Sequence, residues 1–139
     1  MRAAGIDLGK VRVGVALEDE LGLMAHPRPY LDGRNPKQLL KRLRELAEAE
    51  QIGLFVVGLP RNLDGREGIA ARRARRFAAD LAHATGLPVE LQDERLTSVE
   101  AAGRLREQGL DSRAARQRVD SAAAAVLLQS WLDSRRREP

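Results

Sequence analysis

Apolar and polar positions alternate with a period of two through the first part of the chain. In Arg2–Gly9, alternation places Ala4, Ile6 and Leu8 on one face and Ala3, Gly5 and Asp7 on the other. Val11–Leu17 is a second apolar run. Only Gly9 and Lys10 separate the two, which predicts an antiparallel hairpin. Leu23–Leu31 is extended in character, and Pro27 and Pro29 confine it to a sheet edge. The period then becomes helical. Asn35 caps, Pro36 takes the first position, Gln38 can reach back, and Leu39, Leu40, Leu43, Leu46 and Ala47 recur on one side. Gly53–Gly58 is apolar without interruption, as in a strand covered on both faces. Turn residues fill Gly58–Gly65. A helix follows with Ala70, Ala74, Phe77, Ala78 and Leu81 inward, and Gly86-Leu87-Pro88 ends it. Val89–Gln92 is a fifth, short strand running into Asp93-Glu94-Arg95. Thr97 and Glu100 form a capping box for a helix that reaches about Gly109. Asp111–Arg118 reads as a polar loop. The last helix is expected from about Arg116 to Asp133, with Arg135–Pro139 as a frayed tail.

This order predicts an α/β fold: one domain over residues 1–139, with a mixed five-stranded sheet flanked by helices. Three strands run antiparallel, and the fourth and fifth lie parallel to the first through right-handed crossovers. Ligand sites of such sheets lie at the carboxyl ends of the parallel strands. Asp7 and Glu94 both map to that edge. Asp120 opens the last helix, whose alanine run, Ala122–Ala125, permits close packing on the sheet. Leu127, Leu128 and Trp131 of that helix read as core, and no heptad seam or exposed apolar stripe stands out. A monomer or weak homodimer is therefore expected.

Composition narrows the chemistry. The chain has 139 residues and no cysteine, which excludes disulfides, thiolate metal sites and cysteine nucleophiles. Asp7 interrupts the first apolar stretch, so no secretory leader is expected. The longest apolar run, Ala122–Leu128, is too short to cross a bilayer. A cytoplasmic protein without membrane contact is the expectation. Net charge is +4 and the pI about 10.3, carried almost wholly by arginine, which pairs well with phosphate. Aromatic residues make up only 3%, too few for a base-stacking platform along a single strand.

A carboxylate inside an apolar strand needs a partner. For Asp7 the choices are a salt bridge to Lys10 or Arg12, or a metal ion shared with Glu94 and Asp120. Three such carboxylates suit Mg²⁺ or Mn²⁺ and the two-metal cleavage of phosphodiesters. Strand alternation sends Asp93 and Glu94 to opposite sides, so one can face a metal while the other is solvated or pairs with Arg95. Glu94 is preferred, with Asp93 as the alternate. For Asp120 the plain reading is a carboxylate favoured by the start of a helix. Lys10 and Arg12 flank the site. Arg61 and Arg95 stand beside it. Arg72, Arg73, Arg75 and Arg76 share a helix, and Arg113, Arg116 and Arg118 lead into the last one. These residues are candidates for phosphate contact, against the alternative of a solvated face. His26 and His83 read as structural or surface residues. No P-loop, dinucleotide fingerprint or HExxH motif is present.

Four segments carry a family resemblance. They are Gly5-Ile6-Asp7-Leu8-Gly9, Gly58-Leu59-Pro60-Arg61-Asn62-Leu63-Asp64-Gly65, Asp93 through Ala101, and Val119-Asp120-Ser121-Ala122-Ala123-Ala124. Together, and in this order, they resemble the YqgF (RuvX) family. The resemblance implies an RNase H-like fold similar to the RuvC Holliday junction resolvases. It also implies a nuclease acting on structured RNA or branched DNA: maturation of the 5′ end of precursor 16S rRNA, or resolution of four-way junctions. Asp7, Glu94 and Asp120 would be its acidic site. RuvC carries an acid near the end of its fourth strand, where this chain has Gly58. The first segment alone also resembles the phosphate loop of the actin and sugar-kinase fold. That fold closes two domains around a nucleotide, and a chain of this length supplies one.

Overall fold

The computed structural model describes residues 2–96, 99–107 and 121–137. Strands β1 (Arg2–Leu8), β2 (Arg12–Glu18) and β3 (Ala25–Asp32) form a meander. Helix α1 (Pro36–Glu50), β4 (Ile52–Leu59), α2 (Ile69–Thr85) and β5 (Val89–Asp93) follow. A single 3₁₀ turn (Glu94–Leu96), α3 (Val99–Glu107) and the last described helix, here α4 (Ala122–Arg137), complete the order. The sheet order is β3-β2-β1-β4-β5, with β1, β4 and β5 parallel and β1–β2–β3 antiparallel. The expected mixed sheet is therefore present, with β3 at one edge, where Pro27 and Pro29 cost it little pairing.

Alternation along β1 divides the core in two. Ala4 and Ile6 join Val13, Val15, Phe55, Val57, Leu39, Leu43 and Leu81 under α1 and α2. Ala3 joins Ala16, Val56, Leu105, Ala124, Leu128 and Trp131 under α3 and α4. Asn35 caps α1 as expected, its side chain accepting from Gln38 N at 3.1 Å. Three local expectations change. The hairpin turn spans Gly9–Val11 rather than two residues. In α2, Ala71 is buried and Ala70 exposed, with Ala74, Ala78 and Leu81 inward and Phe77 half-buried. Alanines crowd both sides of this helix, so apolarity alone fixes its phase poorly. Finally, α4 continues through Arg137, because Arg135 lies over the Trp131 ring at 4.6 Å and reaches Glu90 at 3.7 Å. Thr97 of the expected capping box, and the Asp111–Arg118 loop, lie outside the described residues. No described helix is long and apolar enough to cross a membrane.

The α4 contact sets the depth of the functional edge. A Cβ on Gly5 would lie 2.8 Å from Leu128 Cβ and 3.0 Å from Ala124 O. Only glycine permits that approach. At the irregularity between Val13 and Val15, the Val15 N–H donates to Ser121 Oγ at 2.9 Å, tying the start of α4 to the sheet. Gly5→Ala is expected to cost about 1–3 kcal/mol in urea denaturation. Trimming Leu128 to alanine cannot relieve it, since the clash is with the Cβ that alanine keeps. An unchanged denaturation midpoint for Gly5→Ala would contradict this packing.

Candidate functional site

Asp7 lies next to the end of β1, on the α4 side of the sheet. It faces the space above Gly14, where an added Cβ would lie 3.4 Å from Asp7 Cβ, 3.3 Å from Ala124 Cβ and 3.5 Å from Ser121 Cα. Glu94 follows the last residue of β5 and turns back over β4. A Cβ on Gly58 would lie 2.7 Å from Glu94 Oε1. The glycine at this position therefore vacates the volume that the Glu94 carboxylate fills. Asp7 and Glu94 line one cleft together with Ala123, Val126 and Leu127 of α4.

Both carboxylates are costly to ionise, and Asp7 adds to the cost at Glu94. Burial pushes the Asp7 carboxyl above its usual range. Glu94 is pushed up by burial first, then by the charges of Asp7 and Asp93. Neither makes an ion pair among the described residues. The salt bridges open to Asp7 from the sequence do not form: Arg12 instead lies over the Tyr30 ring at 4.9 Å. Two neighbouring, partly buried oxygen donors without a cation fit a hard divalent ion. The described residues contain no group of three such donors. Asp120, the expected third, lies outside them, as do Arg113, Arg116 and Arg118.

Asp93 is differently placed. Arg95 Nη2 reaches its Oδ2 at 2.7 Å, Arg95 N donates to Oδ1 at 2.9 Å, and Arg61 Nη1 stands 3.8 Å away. The Arg95 bonds hold its carboxyl down to about 2. Arg61 also meets Glu67 at 3.4 Å, and Glu67 meets Arg75 at 2.6 Å. Charges thus alternate from Arg75 through Glu67, Arg61 and Asp93 to Arg95, fastening the loop after β4 to the end of β5. Arg61 Nε is buried with no hydrogen-bond partner among the described residues, so this arginine is packed into the loop base. Of the candidate phosphate contacts, Arg61 and Arg95 are committed to carboxylates. Lys10, Arg12, Arg72, Arg73 and Arg76 make no ion pair among the described residues, and Arg73 Nη2 donates to Gly9 O at 3.0 Å. His26 pairs with Asp19 at 3.3 Å in the part of β3 beside Leu17, remote from the cleft. The Asp93–Arg95 pair is the one the sequence allows for; the links through Arg61, Glu67 and Arg75 join separate segments and carry no local signal.

The sequence model of a family described as "RuvX: Holliday junction resolvase" matches residues 1–134. A protein of Anaeromyxobacter sp. (strain Fw109-5), named "Putative pre-16S rRNA nuclease", is 50% identical over 135 residues, covering 97% of this chain and 98% of its own. A protein of the same name from Pelotomaculum thermopropionicum is 45% identical over 138 residues, covering 99% and 90%. The structure of T. thermophilus RuvC in complex with a Holliday junction substrate superposes with a TM-score of 0.65 at 16% identity, covering 98% of this chain and 96% of that one. Fowlpox virus resolvase with junction DNA gives 0.57 at 10% identity, covering 96% and 98%. These two establish the RuvC-like, RNase H-type fold.

Raised carboxyl values have a definite sign in stability. The folded protein holds these protons more tightly than the unfolded chain, so the contribution is full below the unfolded value, near about pH 4. It is lost as pH rises through the folded values. In EDTA, wild type and Asp7→Asn/Glu94→Gln are expected to have their smallest difference in melting temperature at that acidic limit. The difference should grow in favour of the variant toward neutral pH. A pH-independent difference, or a wild type gaining on the variant as pH rises, would contradict the carboxylate conflict.

Proposed function

Because the chain belongs to the RuvX family, we propose that it is a divalent-metal-dependent endonuclease that matures the 5′ end of precursor 16S rRNA. The observation that carries this reading is the Asp7–Glu94 pair: two partly buried carboxylates at the carboxyl edge of the sheet, with no ion-pair partner among the described residues. Asp7 and Glu94 would hold Mg²⁺ or Mn²⁺, with Asp120 as the third ligand. Ser121, the chain neighbour of Asp120, is fixed to Val15 and lies beside Gly14 and Asp7, which supports that assignment. Such ions supply an activated water and a counter-charge for the scissile phosphate.

The chain's own residues do the rest. The Arg61–Asp93–Arg95 contacts occupy Asp93 and leave Glu94 to the cleft, so Glu94 is the ligand and Asp93 its anchor. Gly58 gives the Glu94 carboxylate its seat. Lys10, Arg12, Arg72, Arg73 and Arg76, which make no ion pair among the described residues, hold the phosphate backbone on either side of the cut, so that recognition rests mainly on backbone and shape. One site suffices for trimming an RNA end. Leu127, Leu128 and Trp131 are turned into the core, in keeping with a monomer or weak homodimer. The reading places the protein in the cytoplasm with its RNA. A second reading, junction resolution, is favoured by the family's description. It needs two symmetric sites and hence a two-fold dimer.

Asp7→Asn and Glu94→Gln are each expected to lower Mn²⁺-dependent cleavage of precursor 16S rRNA by on the order of 100-fold or more. Gly58→Ala should follow them, because its Cβ displaces Glu94, while Asp93→Asn loses less. Equal losses at Asp93 and Glu94 would undo the division between ligand and anchor. Paired symmetric nicks in a four-way junction, with no action on the RNA, would select the second reading. Replacing Arg72, Arg73 and Arg76 by alanine should flatten the salt dependence of binding by up to roughly 3 in log–log slope. Arg75→Ala, which removes an arginine already paired with Glu67, should leave the slope nearly unchanged. The reverse ranking would show that helix α2 does not face the substrate.

A further inference from the structure

A second cavity lies across the end of β1 from the carboxylates. Alternation turns Asp7 toward α4 and Leu8 toward α1 and α2. There, Leu8, Pro36, Leu39 and Phe77 wall a pocket of about 260 Å³. Its rim carries Arg73, Arg76 and Asp80. The Gly9–Val11 turn separates this pocket from the carboxylate cleft, and the bond from Arg73 to Gly9 O crosses that boundary. The core of the domain does not need this volume: it is open, and neither Arg76 nor Asp80 has an ion-pair partner among the described residues.

The chemistry of the walls defines the ligand. Aliphatic side chains and one aromatic ring take a flat apolar group. Two guanidiniums at the mouth take an anion, preferably phosphate. Asp80 offers an acceptor to an amino group on the ligand. The volume falls below the roughly 300–1,000 Å³ of drug-sized sites, so one base can enter and a stacked base pair cannot. We propose that this pocket holds a single unpaired nucleotide of the substrate strand, close to the cut. Its base lies against Leu8, Leu39 and Phe77, and its phosphate lies on Arg73 and Arg76. Asp80 favours amino-bearing bases, cytosine, adenine and guanine, over uracil. The nuclease reading enters only in calling the nucleotide part of a substrate. The pocket gives a physical reason for a substrate with a single-stranded segment next to a duplex, which a wholly paired helix cannot provide.

The test uses the full chain as Asp7→Asn, to trap substrate, and RNA duplexes with an unpaired extension. 5-Iodocytidine replaces one unpaired nucleotide at a time, and cross-linked peptides are mapped by mass spectrometry. A single position is expected to cross-link predominantly to the α2 peptide containing Phe77. Arg73→Ala/Arg76→Ala should lower the yield at that position at least about five-fold. In wild type, an abasic nucleotide there should lower kcat/KM roughly ten-fold, with less than about two-fold effects at the other unpaired positions. Asp80→Asn should narrow the preference for cytosine over uracil at that position alone. Cross-links spread over many nucleotides, or absent from α2, together with normal cleavage, would overturn the pocket and leave the nuclease reading standing. The α2 cross-link at one position in a protein that cleaves nothing with Mn²⁺ would do the opposite.

Discussion

Helix α4 rests on the sheet at a separation that only missing side chains allow. Gly5 admits the Leu128 Cβ and the Ala124 carbonyl, and Gly14 admits Ala124 and the start of the helix. Everything at the functional edge follows from this contact. It walls Asp7 on one side with alanine and valine rather than water, which raises the cost of its charge. It also brings Ser121 within bonding distance of β2, so α4 begins beside Gly14 and Asp7. A wider, water-filled gap would hydrate Asp7 and lower the cost of its charge.

The second constraint is a division of labour between adjacent acids. Asp93 and Glu94 are neighbours in sequence with opposite electrostatic fates. Arg95 and Arg61 stabilise the charge on Asp93, whereas Glu94 is turned over Gly58 toward another carboxylate. The Arg75–Glu67–Arg61–Asp93–Arg95 chain therefore does structural work at the rim of the site, whereas Arg72, Arg73 and Arg76 of the same helix as Arg75 make no ion pair among the described residues. Exposed ion pairs of this kind contribute little to global stability. Their effect here is to fix one loop against one strand end.

Much of this was legible in the sequence. The alternation of Ala3, Gly5 and Asp7 against Ala4, Ile6 and Leu8 placed the acid on the correct face. The uninterrupted Gly53–Gly58 run marked a central strand, and Asn35-Pro36 marked a helix start. Opposite-side geometry separates Asp93 from Glu94 without choosing between them, and in the structure Asp93 pairs with Arg95 while Glu94 lies over Gly58. What escaped was of two kinds. The phase of α2 was misjudged by one residue at its start, because alanine is compatible with both faces. Long-range partners were also hidden: Arg61 with Asp93, Arg135 with Glu90, and Phe77 with Leu8 are set by tertiary approach, which no local spacing encodes.

In the proposed site Asp7 and Glu94 share a divalent ion and Asp93 does not. Anomalous diffraction from crystals grown with Mn²⁺ locates such an ion without reference to activity. A peak within bonding distance of both the Asp7 and Glu94 carboxylates, lost in Glu94→Gln, is the expected result. A peak on Asp93, with its bonds to Arg95 broken, or no peak at the cleft at saturating Mn²⁺, would contradict it.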